Sequence, residues 1–226
     1  MTVLLIPSPL VGPASWAGVA SYLRGRGEDV RVADTGAPRR PEHVVDAVVA
    51  AASGVPDLVL VPHSNAGLYV PHLGERLDVT ATVYVDAALA GLGPDTAMIP
   101  SGLMATLRGL VDRDGRLPPW TRWWDDLADL FPDAAARADV ERSQPRIPLS
   151  YFEERLPVPE GWAERPSAYL AFGDTYAEEV GFARRRGWPL TTMTGRHLHM
   201  LHDPEEVGAE ILRLARAAEP SVGGAV

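Results

Sequence analysis

Short apolar runs alternate with stretches of helical periodicity over residues 1–86. The runs are rich in branched side chains, which is typical of strands buried on both faces. They predict strands at 3–6, 29–33, 58–61 and 80–85. Helices are predicted from Ser15 to about Gly25, over 41–52, and from the end of the third strand to about Leu73. This β-α-β-α-β-α-β order with short connections predicts a mostly parallel, doubly wound sheet with helices on both faces.

The pattern stops at residues 87–165 and then resumes. That segment is rich in Pro, Gly and Asp, has no convincing strand, and predicts helices near 102–112, 121–130 and 133–142. After it come a strand at 168–172, a helix at 177–186, a strand at 189–193 and a terminal helix that begins at Asp203-Pro204. Residues 218–226 are expected to form a frayed tail. The chain is therefore predicted to be one α/β domain, 1–226, with a helical cap insertion at 87–165.

Composition and charge exclude several classes of function. The chain has 226 residues, 46% of them hydrophobic and 23% charged, which is ordinary for one soluble globular domain. A net charge of −9 argues against nucleic acid and anionic membranes as partners. No apolar stretch approaches the roughly 18 residues of a membrane span, and the first run is too short for a signal peptide. We expect a cytoplasmic protein that acts on a small molecule; the sequence does not indicate its oligomeric state.

The third predicted strand ends at a serine. Residues 57–70 run from a buried strand through Pro62-His63-Ser64-Asn65-Ala66-Gly67 into a stretch with helical spacing. A sharp strand-to-helix turn at a serine is the setting of a nucleophile elbow, where small flanking residues allow a close approach. The flanks here are Pro62 and Ala66, with Gly67 one place later. A serine that only caps the following helix would give the same pattern.

Four histidines lie near the predicted carboxyl ends of the strands. His197 follows the last strand, where its imidazole could take the proton of a serine hydroxyl. His63 precedes the serine, so its side chain should point away from it and have a structural role. His199 is either a pocket wall or a core residue, and the sequence gives no basis for choosing. His202 is expected at the surface.

The order of these pieces resembles the α/β-hydrolase superfamily. The pieces that carry the resemblance are Ile6-Pro-Ser-Pro with Ser15-Trp16, Val61-Pro-His-Ser-Asn-Ala-Gly67, and Gly195-Arg-His197 followed by Asp203-Pro204-Glu-Glu-Val207. The resemblance implies an α/β-hydrolase fold with a helical cap, Ser64 as the nucleophile and His197 as the general base. It implies no cofactor.

The resemblance leaves two carboxylates open as the acid that orients His197. In the family, the acid often follows the strand at 168–172 in a Gly-x-x-Asp pattern. Here that turn reads Gly173-Asp174-Thr-Tyr176, so Tyr176 takes the expected place and Asp174 comes two residues early. Other members take the acid from the strand after the elbow, which here ends at Asp86. Glu178 is a weaker candidate.

The expected oxyanion hole also departs from the family pattern. A His-Gly pair is common after the first strand, whereas this chain has Pro7-Ser8-Pro9-Leu10. Each proline lacks an N–H, so the resemblance implies donors from the Leu10 and Asn65 backbones, with the Ser8 hydroxyl as a possible substrate contact.

Tryptophans are concentrated in the predicted insertion. Trp120, Trp123, Trp124 and Trp162 are four of the six in the chain. They could staple the insertion onto the sheet. Alternatively Trp120, Trp123 and Trp124 could form an aromatic lid that binds an apolar or aromatic substrate.

Several function classes remain open from the sequence. The first is a serine hydrolase for an ester, thioester or lactone; the others are a non-hydrolytic enzyme of the same fold and a catalytically silent binding protein. The run His197-Leu-His199-Met-Leu-His202-Asp203 superficially resembles a zinc motif, but a helix cap accounts for Asp203, and no metal is expected. The first loop lacks the glycine fingerprint of a dinucleotide-binding domain.

Overall fold

The computed structural model describes residues 1–91 and 95–219. Eight strands are present in this part: β1 (Thr2–Ile6), β2 (Asp29–Val32), β3 (Leu58–Ser64), β4 (Val79–Ala87), β5 (Asp95–Ala97), β6 (Arg155–Pro157), β7 (Ser167–Phe172) and β8 (Leu190–Met193). The α-helices are α1 (Ala17–Gly25), α2 (Pro41–Ala51), α3 (Val70–Arg76), α4 (Met104–Leu110), α5 (Ala134–Ser143), α6 (Ser150–Glu153), α7 (Ala177–Arg185) and α8 (Pro204–Ala218). Residues 220–226 of the predicted tail lie outside the described part.

Six strands form one parallel sheet in the order β2-β1-β3-β4-β7-β8. The predicted parallel, doubly wound sheet is confirmed. The sheet is buried on both faces, as strand β7 shows. Successive side chains of β7 point into two different hydrophobic cores. Ala168, Leu170 and Phe172 belong to one hydrophobic cluster, and Tyr169 and Ala171 belong to the other.

Helices cover both faces of the sheet. Helix α8 places Val207, Ile211 and Leu214 in the larger core, where it also packs against α1. Helix α7 contributes Val180 and Ala183 to the smaller core on the other face. Within the described residues, no helix is both long and apolar enough to cross a bilayer. The consequence for function is that the carboxyl ends of β1, β3, β4 and β7 meet at one edge.

The segment between β4 and β7 differs from its prediction in its strands and in its helices, which include the unpredicted α6. It contains a short antiparallel pair, β5 with β6, although the sequence indicated no strand. Each strand has only three residues, which is too short for alternation to be visible. The helix predicted at 121–130 is wrong: the structure has two 3-10 turns, Trp120–Arg122 and Ala128–Leu130. The Asp126 carboxylate accepts the Ala128 N–H, a local bond that competes with a continuous helix.

Candidate active site

Ser64 ends β3 in a backbone conformation that is rare for residues with a side chain. Its φ is 57° and its ψ is −133°, and the chain turns at once into a 3-10 helix, Asn65–Tyr69, that leads into α3. The Ser64 side chain makes no helix-capping hydrogen bond, so the N-cap interpretation is wrong. A Cβ on Gly67 would collide with the carbonyl oxygen of Ala88, which explains why the glycine stands at this position. The turn therefore leaves the serine hydroxyl free to face a cavity that Ser64 helps to line.

The side chains of Ser64, His197 and Asp86 form a continuous chain of hydrogen bonds. His197 Nε2 lies 3.0 Å from Ser64 Oγ, and His197 Nδ1 lies 2.6 Å from Asp86 Oδ2. Asp86 is fully buried at the end of β4, and its Oδ1 accepts the Phe172 N–H at 2.9 Å. A carboxylate on Nδ1 favours the tautomer with the proton there, which leaves Nε2 free to accept the serine proton.

The structure places Asp86, and not Asp174, at the imidazole. Asp174 is exposed in the turn after β7, where Gly173 has a φ of 68°. Its carboxylate has no hydrogen bond or ion pair among the described residues. Glu178 is also exposed, on the first turn of α7. The two-residue shift from the family pattern therefore moves Asp174 into solvent and brings Tyr176 beside Ser64 and His197.

Tyr176 is a site residue that the sequence analysis missed. Its hydroxyl lies 3.3 Å from Ser64 Oγ, and its ring centroid is 5.7 Å from that of His197. The available signal was positional, since Tyr176 occupies the place where the family pattern has its acid.

The loop after β1 is tied to the elbow through Ser8. The Ser8 hydroxyl donates to Asn65 Oδ1 at 2.9 Å and accepts the Leu10 N–H at 3.2 Å. Leu10 and Asn65 line the cavity, whereas Ser8 is fully buried beneath it. Ser8, predicted as a substrate contact, thus joins the two loops that carry the expected oxyanion donors.

His63 lies behind His197, as its predicted structural role requires. Its Nε2 donates to the His197 carbonyl oxygen at 2.9 Å, and the two ring centroids are 4.6 Å apart. Burial, assisted by the charge of a protonated His197, lowers the pKa of His63 well below its ordinary value. His63 is therefore neutral in the folded protein and holds the backbone of the catalytic histidine candidate.

This buried neutral histidine predicts that acid weakens the fold. The unfolded chain binds a proton at His63 below about pH 6.5 and the folded chain does not, so stability is retained above that pH and lost below it. The free energy of unfolding should fall by about 2 kcal/mol more in the native chain than in His63→Gln between pH 7.5 and 5. Urea unfolding at each pH measures this. The exposed His43→Gln should keep the native slope, and equal slopes in the native chain and His63→Gln would contradict the prediction.

Ser64 and His197 line a cavity of about 820 Å³. Its walls are mostly apolar and include Trp120, Trp123 and Trp124, which the sequence analysis gave as substrate contacts. Of these, Trp124 is 43% exposed and stands at the rim. An ion pair of 2.8 Å between Arg196 and Asp129 joins the histidine loop to the insertion at the cavity wall.

Two other aromatic predictions have different outcomes. His199 does not line the cavity; its ring packs against Phe172 and His202, which answers the open question in favour of a packing role. Trp162 stacks on Phe182 in the smaller core and staples the insertion to α7.

The histidine-rich run after β8 does not form a metal cluster. Among residues 1–91 and 95–219, no three His, Cys, Asp or Glu side chains are placed to hold an ion. Asp203 caps α8 as predicted, since its carboxylate accepts the Glu206 N–H at 2.9 Å. The structure therefore gives Asp203 a role at the start of α8.

Comparison with known proteins finds similarity at the level of structure. No family model matches the chain, and no curated protein matches it in sequence. An extracellular α/β-hydrolase from a Paenibacillus species, described as sharing structural and functional homology with tobacco salicylic acid binding protein 2, is 17% identical, with a TM-score of 0.78 over 96% of this chain and 99% of its own. Tomato methylketone synthase I in complex with 2-tridecanone is 12% identical, with a TM-score of 0.70 over 96% and 98%. A pyrethroid hydrolase from Sphingobium faniae JZ-2 is 19% identical, with a TM-score of 0.68 over 96% and 98%.

Proposed function

We propose that this chain, which has the α/β-hydrolase fold, is a serine hydrolase that cleaves an ester, thioester or lactone of an apolar or aromatic compound. The observation that carries the proposal is the hydrogen-bond chain from Ser64 Oγ through His197 to the buried Asp86, at the floor of an apolar cavity. The hydrolase names of two structural neighbours support the same reaction class.

In the proposed acylation step, Ser64 Oγ attacks the carbonyl carbon while His197 Nε2 takes the hydroxyl proton. Asp86, hydrogen-bonded to Nδ1, stabilises the imidazolium that forms. When the tetrahedral intermediate collapses, the bond to the leaving group breaks and Nε2 returns the proton to the departing atom. Water then attacks the acyl-enzyme by the same route, and Ser64 recovers its proton.

The negative oxygen of the intermediate needs donors close to Ser64. The Asn65 N–H follows the serine at the start of the 3-10 helix, and the Leu10 N–H approaches from the loop after β1. Leu10 N–H already donates to Ser8 Oγ, so it must be shared or released to serve the substrate. Because one oxyanion donor is worth about 100-fold or more in rate, this arrangement favours a slow hydrolase.

The engaged Leu10 N–H also favours a second candidate, a non-hydrolytic reaction of an acyl or carbonyl compound in the same cavity. The structural similarity to a methylketone synthase supports this second candidate. Turnover in H₂¹⁸O separates the two, because ester hydrolysis places one ¹⁸O atom in the acid product and a non-hydrolytic reaction does not.

Labelling with a fluorophosphonate, read by intact mass, tests the proposed function. We expect one adduct on the native chain and none on Ser64→Ala or His197→Ala, because the phosphorus atom traps only an activated serine. Ser21→Ala removes an exposed hydroxyl on α1 and should label as the native chain does. A folded native chain that takes no adduct would rule out the serine hydrolase proposal.

A further inference from the structure

The reaction centre contains one polar group that the proposed mechanism does not use, the Tyr176 hydroxyl. It lines the cavity and lies 3.3 Å from Ser64 Oγ. Tyr176 follows β7 and Leu10 follows β1, and these strands lie on opposite sides of β3 in the sheet. The tyrosine therefore approaches the serine from the side opposite Leu10, next to His197.

The direction of the bond between the two hydroxyls follows from proton counting. Ser64 has one hydroxyl proton, and His197 Nε2, at 3.0 Å, accepts it when Nδ1–H is held by Asp86. Ser64 Oγ can then only accept from Tyr176. Burial, together with the nearby charges of Asp86 and Glu179, raises the pKa of Tyr176 to about 12, so the phenol keeps its proton at neutral pH.

We propose that Tyr176 is a catalytic hydrogen-bond donor, which supports Ser64 Oγ in the resting enzyme and the leaving-group oxygen during acylation. This inference rests on the proposed hydrolase function. The leaving oxygen must come close to His197 Nε2 to receive its proton, and Tyr176 borders both Ser64 Oγ and the His197 ring. Its hydroxyl is therefore within reach of the atom on which negative charge grows.

The step balances without net proton transfer from Tyr176. The bond between Ser64 Oγ and the carbonyl carbon forms as the serine proton moves to Nε2. The bond from carbon to the leaving oxygen then breaks, its electron pair stays on that oxygen, and the proton of Nε2 neutralises it. Tyr176 contributes only a hydrogen bond, which is strongest when the oxygen is most negative.

The test compares esters that share one acyl group and differ in the leaving alcohol. In Tyr176→Phe, kcat/KM for a 4-nitrophenyl ester should fall less than about fivefold, because nitrophenolate needs little stabilisation. For an alkyl ester of the same acid it should fall about 30- to 100-fold, which lies within the range of a hydrogen bond to a charged group. Tyr22→Phe, which removes a hydroxyl on α1 outside the cavity, should match the native chain.

Two failures are distinguishable. A native chain that takes no fluorophosphonate adduct and cleaves no ester would overturn the hydrolase proposal and this inference with it. A native chain that cleaves esters, with equal losses for both leaving groups in Tyr176→Phe or no loss at all, would overturn only the role of Tyr176. An unchanged thermal unfolding midpoint would show that Tyr176→Phe is folded. Labelling of this variant by the fluorophosphonate would show that Ser64 is still in place and activated.

Discussion

Replacing Ser64 with alanine is expected to lower kcat for ester hydrolysis by about 10⁵-fold, since the residual rate must come from the oxyanion donors and binding alone. The Kd for the substrate should stay within about threefold, because the alanine leaves the apolar walls of the cavity intact. Initial rates on the purified variant give the first quantity, and calorimetric titration with the unreacted ester gives the second.

The combination of rate and affinity separates three interpretations of the same pocket. Lost turnover with retained binding is the result expected for a serine nucleophile. Turnover within tenfold of the native chain would instead indicate chemistry that does not pass through Ser64. Binding without turnover in both native and variant proteins would indicate a catalytically silent binding protein.

Replacing Asp86 with asparagine is expected to lower kcat by about 10⁴-fold. A carboxamide can donate its own N–H to Nδ1 and so hold His197 in the tautomer that cannot accept the serine proton. The substitution also removes the negative charge of Asp86, which is fully buried and hydrogen-bonded to His197, and which stabilises the imidazolium. Steady-state rates on a 4-nitrophenyl ester measure the loss.

Asp174→Asn is the matched control for this experiment. It makes the same chemical change on the other candidate acid, whose carboxylate is exposed, and kcat should stay within about twofold. A large loss in Asp174→Asn, with a small one in Asp86→Asn, would reverse the assignment of the acid and imply a rearranged turn after β7.

The sequence was sufficient for the sheet because its strands are strongly patterned. The buried runs at β1, β3 and β7 are apolar on both faces, so their type and order follow from local composition. The places of Ser64 and His197 follow in turn, because residues at the carboxyl ends of parallel strands share one edge of the sheet.

The choice between Asp86 and Asp174 could not be made from the sequence. Asp86 lies at the end of β4 and Asp174 follows β7, and both strands end at the same edge of the sheet, so the pattern brings both near the histidine loop. The choice depends on backbone detail: a register shift between His63 and Ser64 in the pairing of β3 with β4, and a φ of 40° at Asp86. Neither feature has a signature in residue type.

The segment around the tryptophans was predicted least well. Its helix at 121–130 failed because side chains of this region bond locally and pack into the cavity wall, as Trp123 does by donating its indole N–H to the Pro118 carbonyl oxygen. Tertiary packing of this kind outweighs helix propensity over a short stretch. The same limit hid the contact between Tyr176 and Ser64, which joins residues 112 apart in the chain.

Backbone strain is concentrated at two residues of the proposed active site. Among the described residues, only Asp57, Ser64 and Asp86 adopt positive φ without being glycine, and two of the three hold the proposed chemistry. Each such residue costs on the order of 1–3 kcal/mol, a strain that a glycine would relieve. Under the proposed function, the nucleophile and the acid therefore carry backbone strain as well as the chemistry. A chain freed of the proposed reaction could relieve this strain with glycine at either position, at the cost of the proposed chemistry.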